Sequence, residues 1–258
     1  MRLIAISVAA ALCAVLAAGC ASGKNEEIAS TLKKKEIRVG IYADFKPLIF
    51  KDNNQLKGIE ADLAAKVGEI TGARIVYAEH PWSDLIPALE AGKIDVIMAG
   101  MTITAERAKK VAFTTSYLRV GQMALLRTSD INEFSTAEKV KSTNRRIGFI
   151  KNTTGDDFVR SHCPNAKKVP FEKPQDGIKS LSERRIDVFI IDAPVVWDLS
   201  TPDLTPLLEP LTEEHFGWAV RKNDTAMREA LNKCLALMRE DGFLETVKRK
   251  WVPQLLLK

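Results

Sequence analysis

From Glu36 onward, apolar runs short enough for buried strands alternate with segments whose apolar residues recur at helical spacing, and this leaves few architectures open. Glu36–Tyr42 (EIRVGIY) reads as a first strand. Gly58 opens a helix on which Ile59, Leu63, Val67 and Ile70 fall along one face, and Gly72 closes it. Ala73–Ala78 reads as a short strand. Ser83 can cap a further helix carrying Leu85, Ile86 and Leu89, where Pro87 is tolerated because it sits near the start. Ile94–Ala99 has the continuous apolar character of a fully buried strand. Strands alternating with helices argue for a mainly parallel sheet covered on both faces, the α/β class.

The pattern then restarts. Arg119–Arg127 reads as a long strand and Arg146–Ile150 as another, followed by a helix from about Gly155 to Cys163. Lys167–Phe171, a helix with Ile178 and Leu181, and the strand Ile186–Ile191 follow, then a strand over His215–Arg221. A helix from Thr225 to about Arg239 places Met227, Leu231, Cys234 and Met238 on one face, which makes Cys234 a core residue. A last short helix carries Phe243, Leu244, Val247 and Trp251. No internal repeat is evident in the residues.

The segment before Glu36 is of another kind. Leu3 to Ala18 is nearly all apolar after the single charge of Arg2, and small residues crowd its end, as in a secretory signal. Ala17-Ala18-Gly19-Cys20 resembles a bacterial lipobox, in which the Cys becomes the lipidated first residue. The usual pattern prefers Leu where this chain has Ala17. Residues 1–19 are therefore expected to be removed, with Cys20 as lipid anchor and residues 20–35 as a polar, flexible tether. No other apolar run is long enough to span a bilayer.

A formal net charge of +5 is mild, and no basic run is interleaved with aromatics, so nucleic acid is not an expected partner. Of four cysteines, Cys13 belongs to the leader and Cys20 to the anchor. An oxidising compartment would allow Cys163 and Cys234 to pair. No Cys or His cluster has metal-ligand spacing, and no cofactor is expected.

Six segments carry a more specific signal. They are Gly58-Ile59-Glu60-Ala61-Asp62-Leu63 at a helix start, Trp82-Ser83-Asp84-Leu85-Ile86-Pro87-Ala88-Leu89, Gly92-Lys93-Ile94-Asp95, Ala99-Gly100-Met101-Thr102-Ile103-Thr104-Ala105-Glu106-Arg107, Lys151-Asn152-Thr153-Thr154-Gly155, and Ile190-Ile191-Asp192-Ala193. In this order and spacing they resemble the bacterial extracellular solute-binding proteins of family 3, the polar amino-acid type that serves ABC transporters. The resemblance covers about Glu36 to Val252. It implies a periplasmic-binding-protein-like fold (type II): two lobes of mainly parallel sheet flanked by helices, joined by two hinge strands. Lobe 1 would comprise residues 36–118 and 216–258, and lobe 2 residues 119–215. Such proteins close like a hinge around their ligand. Cys163 and Cys234 would then lie in different lobes, as two separate buried thiols.

The resemblance also implies a site. An amino acid carries a carboxylate and an ammonium, and in a closed cleft both must be paired. Arg107, with its planar fork, is expected to take the carboxylate, with Thr104 capping the turn that holds it and Thr102 adding a hydroxyl and a backbone N–H. Thr153, Thr154 and Gly155 stand at a helix start, where free N–H groups favour an anion. Asp192, at the carboxyl end of a buried strand, is expected to take the ammonium with the Gly100 carbonyl; a helix cap before Ala193-Pro194 is its other role. Phe45 and Trp82 fall where the family sandwiches the ligand's side chain. Tyr42 stands where several members carry an acid, while Asp44 is two residues on and Lys151 approaches the same end. A neutral polar or acidic ligand side chain, over that of Arg or Lys, is expected on that basis.

The function so implied is extracytoplasmic capture of an amino-acid-like solute and its delivery to an ABC transporter permease, by a monomer held at the membrane by its N-terminal lipid, in the periplasm or at the cell surface. The second reading is an exported dehydratase on the same fold acting on cyclic precursors of aromatic amino acids, with Asp156 or Asp157 as the acid. A ligand-sensing ectodomain is not expected, because no apolar span follows the second half.

Overall fold

The computed structural model describes residues 23–253. The expected leader and Cys20 lie outside the described residues. Residues 23–32 form a helix, α1, which differs from the tether read over 20–35. Ile28 and Leu32, one turn apart, are both buried in the core of the first lobe. The polar face of α1 pairs with that lobe through Lys24–Glu240 at 2.8 Å and Glu27–Lys233 at 2.6 Å. Two apolar anchors at helical spacing are enough to dock so short a segment.

The chain continues through β1 (Glu36–Ile41), β2 (Asp44–Phe45), β3 (Ile49–Asp52), β4 (Gln55–Lys57), α2 (Ile59–Thr71) and β5 (Arg74–Glu79). A 3-10 turn at Trp82–Asp84 leads into α3 (Leu85–Glu90), β6 (Val96–Ile97), α4 (Ala105–Ala108) and β7 (Val111–Phe113). After β8 (Leu118–Val120) the second lobe holds β9 (Gln122–Arg127), α5 (Ala137–Ser142), β10 (Arg146–Ile150), α6 (Thr154–His162), β11 (Lys167–Phe171), α7 (Pro174–Ser182), β12 (Val188–Asp192), α8 (Ala193–Leu199) and β13 (Leu204–Pro206). The chain returns through β14 (Glu214–Phe216) to β15 (Ala219–Arg221), α9 (Thr225–Glu240) and α10 (Phe243–Trp251).

Each lobe is built on a five-stranded sheet, β5-β1-β6-β15-β7 in the first and β11-β10-β12-β9-β13 in the second. In each, one strand, β15 or β9, runs against the rest. β8 and β14 pair antiparallel as the two crossings between lobes. Both long strands read from the sequence are broken at a glycine where the chain changes sheets, β8 from β9 at Gly121 and β14 from β15 at Gly217. At Gly121 a Cβ would come within 2.1 Å of the Thr212 carbonyl oxygen on the other crossing, so only glycine lets the two segments approach.

The two sheets also share an internal repeat. Asp95, just before β6, accepts the backbone N–H, Nε and Nη2 of Arg38 on β1 at 2.9, 3.0 and 2.9 Å. Asp187, just before β12, accepts the same three groups of Arg146 on β10 at 3.0, 2.9 and 2.8 Å. Each clamp ties the middle of a parallel sheet to its neighbour with charge-assisted bonds. Burial would raise both carboxyls, yet the arginine bonds outweigh it. Asp187 is held at about 2 and Asp95 well below the ordinary range. Cys163 and Cys234 are free and buried, Cys163 in the second lobe and Cys234 on α9 of the first. Burial pushes these thiols up to about 11 and about 12, which leaves them unreactive.

Candidate functional site

A cavity lies between the lobes. The first lobe contributes Tyr42, Phe45, Trp82, Gly100, Thr102 and Arg107; the second contributes Ile150, Thr153, Thr154, Pro174, Ile191 and Asp192. Of the residues singled out in the sequence, Tyr42, Phe45, Trp82, Gly100, Thr102, Arg107, Thr153, Thr154 and Asp192 therefore meet there. Lys151 does not. It is exposed, pairs with Glu172 at 2.5 Å and lines a neighbouring surface cavity with Asp44 and Lys173. The turn after β10 aims its side chain at the solvent edge of the lobe, so it gives the ligand end no positive charge. Gly155 is also off the cavity, packed behind Thr154 against Gln122.

Arg107 is positioned by its own backbone. The Thr104 hydroxyl caps α4 by accepting the Arg107 N–H at 3.2 Å. Nη1 donates to the Thr102 carbonyl at 3.0 Å, and the guanidinium lies 5.3 Å from the Trp82 ring centre. The stacked, half-buried cation has no carboxylate within ion-pair distance among the described residues, and burial lowers its pKa. Gly100 turns with φ +67°, and its N–H donates to Glu60 at 2.7 Å. Glu60, fully buried, also accepts from the Tyr117 hydroxyl at 2.5 Å and from Trp218 Nε1 at 2.9 Å. One carboxyl thus fixes the Gly100 turn to the segments flanking both crossings.

Asp192 ends β12 and makes no side-chain cap on α8, so the alternative capping role is not what its carboxyl does. It accepts from Gln122 Nε2 at 2.8 Å. Burial, then the neighbouring Glu214 charge, pushes it up to about 8 against the opposing pull of Arg107. Gln122 Nε2 also donates to the Thr154 hydroxyl at 3.0 Å. Tyr42, Phe45 and Trp82 form an aromatic corner, with Tyr42 6.4 Å from each of the other two ring centres. The Tyr42 hydroxyl donates to the Glu172 carbonyl at 3.1 Å, and Trp82 Nε1 to the Asn152 carbonyl at 2.9 Å. Both rings therefore reach across from lobe 1 and hold the backbone of lobe 2.

Three contributors escaped the sequence reading. Gln122 and Glu214 are polar residues on strands at the crossings, where the residues alone suggest a surface position. Glu60 lies in the Gly58–Leu63 segment, where local sequence marks it only as an acid in the first turn of α2. A polar residue beginning an otherwise apolar strand, as Gln122 does, is the one signal that could have marked the first of them.

Two α/β lobes, two antiparallel crossings and a buried cavity holding one cation and one acid define a hinged solute-binding protein. Residues 37–254 match the bacterial extracellular solute-binding proteins, family 3, and the chain belongs to that family. The ABC transporter arginine-binding protein 1 of Escherichia coli (strain K12) is 29% identical over 228 residues, covering 85% of this chain and 92% of its own length. The histidine-binding periplasmic protein of the same strain is 32% identical over 231 residues, covering 84% and 87%. Among solved structures, an ancestral amino acid-binding protein that is a precursor of cyclohexadienyl dehydratase aligns with a TM-score of 0.81 at 30% identity, covering 87% of this chain and 99% of its own.

Proposed function

We propose that the chain captures an L-amino acid between its lobes, outside the cytoplasm, and delivers it to the permease of an ABC transporter. The observation that carries this is a cation and an acid facing one cavity from opposite lobes, half-buried Arg107 from lobe 1 and buried Asp192 from lobe 2. Arg107 receives the carboxylate in a fork and Asp192 the ammonium, with the Gly100 carbonyl beside it. Phe45, Trp82 and Tyr42 enclose the side chain, while Thr102 and Thr154 frame the charged end. With Lys151 turned away, the side-chain end is aromatic and carries no positive charge. It suits a planar polar group, such as the guanidinium or imidazole of the ligands named for the two relatives; the sequence expectation, a neutral polar or acidic side chain over Arg or Lys, rested on Lys151 and is set aside with it.

Isothermal titration of the chain from Ala21 against the standard L-amino acids tests this. Micromolar or tighter binding corresponds to about −8 kcal/mol or better and supports the reading. Silence across all of them overturns it. The dehydratase reading gains no support from the acids it would use. Asp156 is held by Arg160 and by the Asn152 N–H, away from the cavity, and Asp157 is exposed. We further propose a lipid anchor at Cys20 and a monomeric state. Release of a Cys20→Ser variant from the membrane fraction, and a single-chain mass in light scattering, are the expected results.

A further inference from the structure

We propose that Glu214 is the latch that couples ligand capture to lobe closure. Glu214 lies on β14, opposite Val120 of β8, so it belongs to neither lobe's sheet. It is buried, and three hydroxyls converge on its carboxylate. Thr102 of lobe 1 donates to Oε2 at 2.9 Å, Thr154 of lobe 2 donates to the same oxygen at 2.8 Å, and Thr212 donates to Oε1 at 2.7 Å. No cation lies within ion-pair distance of it among the described residues. An anion held only by hydroxyl donors needs all of them in place, since each one lost leaves a buried charge less satisfied.

Two relays radiate from this carboxylate. Through Thr102, whose carbonyl accepts Arg107 Nη1, it reaches the group assigned to the ligand's carboxylate. Through Thr154 and Gln122 it reaches Asp192, the group assigned to the ammonium. Separating the lobes breaks at least one of the two threonine bonds, because their donors belong to different lobes. Glu214 is thus a positioning residue: it touches no ligand, yet it holds both ligand-binding groups in the closed geometry. The relay arm rests on the amino-acid reading above; the closure arm does not.

The test combines lobe distance and kinetics. Spin labels at Lys93→Cys in lobe 1 and Lys167→Cys in lobe 2, both exposed positions, report closure by pulsed EPR while Cys163 and Cys234 stay buried. Glu214→Gln is expected to move the ligand-free distance distribution toward the open form. Its dissociation rate for L-arginine or L-histidine should rise about ten- to a hundred-fold with little change in association rate. Thr154→Val should behave similarly, Thr154→Ser should restore the parent values, and Thr154→Val should add nothing in the Glu214→Gln background. Unchanged distances and rates in a folded Glu214→Gln variant, or full additivity of the two changes, overturns the latch. If neither amino acid binds the parent chain, the functional reading is at fault, and the latch stands or falls on the ligand-free distances.

Discussion

Arg107 and Asp192 enter one cavity from opposite lobes without closing an ion pair on each other. Arg107 is held by a backbone carbonyl and an aromatic face, and Asp192 by an amide. Neither group pairs with the other, so a zwitterion between them completes both: its carboxylate meets Arg107, and its ammonium meets an Asp192 that ionises as it binds. Truncation of Arg107 to Ala should weaken amino-acid binding by about 2–5 kcal/mol, because the ligand's carboxylate is left buried and unpaired. The melting temperature of the ligand-free chain should change little. Titration calorimetry and thermal unfolding of the same preparation check both halves.

Binding should release a proton near neutral pH. Asp192, pushed up to about 8, holds a proton at pH 7 in the ligand-free chain, and an ammonium beside it restores the carboxylate. The sign follows from a folded-state pKa above the unfolded value. Asp192's contribution to ligand-free stability is complete below about pH 4 and is lost as pH rises toward 8. Affinity should therefore rise between pH 6 and 8, by at most about tenfold per unit, and then level off. Calorimetry in buffers of different ionisation enthalpy counts the proton, and Asp192→Asn should abolish the release along with most of the affinity.

Acid should unfasten the two sheet clamps. Asp187 and Asp95 are held below their unfolded values, so their contribution is present above about pH 4 and is lost as pH falls through the folded-state values. For Asp187, 15% exposed, the shift from 3.8 to about 2 corresponds to about 2 kcal/mol. Asp187→Asn should lower stability at pH 7 by at least that much and flatten the loss between pH 4 and 2. Denaturant melts at a series of pH values read this directly.

Ile28 and Leu32 make α1 part of the first lobe. Leu32→Ala should cost about 2–4 kcal/mol in unfolding free energy, within the range for buried leucines. Backbone amides of residues 23–32 should be protected in hydrogen exchange. A tether would show neither effect.

Much of this was legible in local pattern. The helix from Ile59 to Thr71, the capped turn before Arg107 and the strand ending at Asp192 all announce themselves by apolar spacing and capping chemistry. Two kinds of feature did not. Where strands change sheets, at Gly121 and Gly217, strand-like sequence resumes directly after the glycine, because both halves pair with neighbours, though with different ones. Polar residues such as Gln122 and Glu214 acquire meaning only when segments far apart in sequence meet: the donors to Glu214 come from positions 102, 154 and 212. Lys151 failed for the opposite reason, since a place beside the site in sequence does not settle which way a side chain points.

The docking of α1 bears on how the chain would search for its transporter. On the proposed anchor, the acylated Cys20 would stand only eight residues before Ile28, whose side chain is buried in lobe 1. That is a short leash. Lobe 1 would travel with the bilayer as the stationary half, and opening would be a swing of lobe 2 alone. Encounter with a permease would then become a two-dimensional search by a particle of restricted tilt, which would present much the same rim of its cleft at every collision.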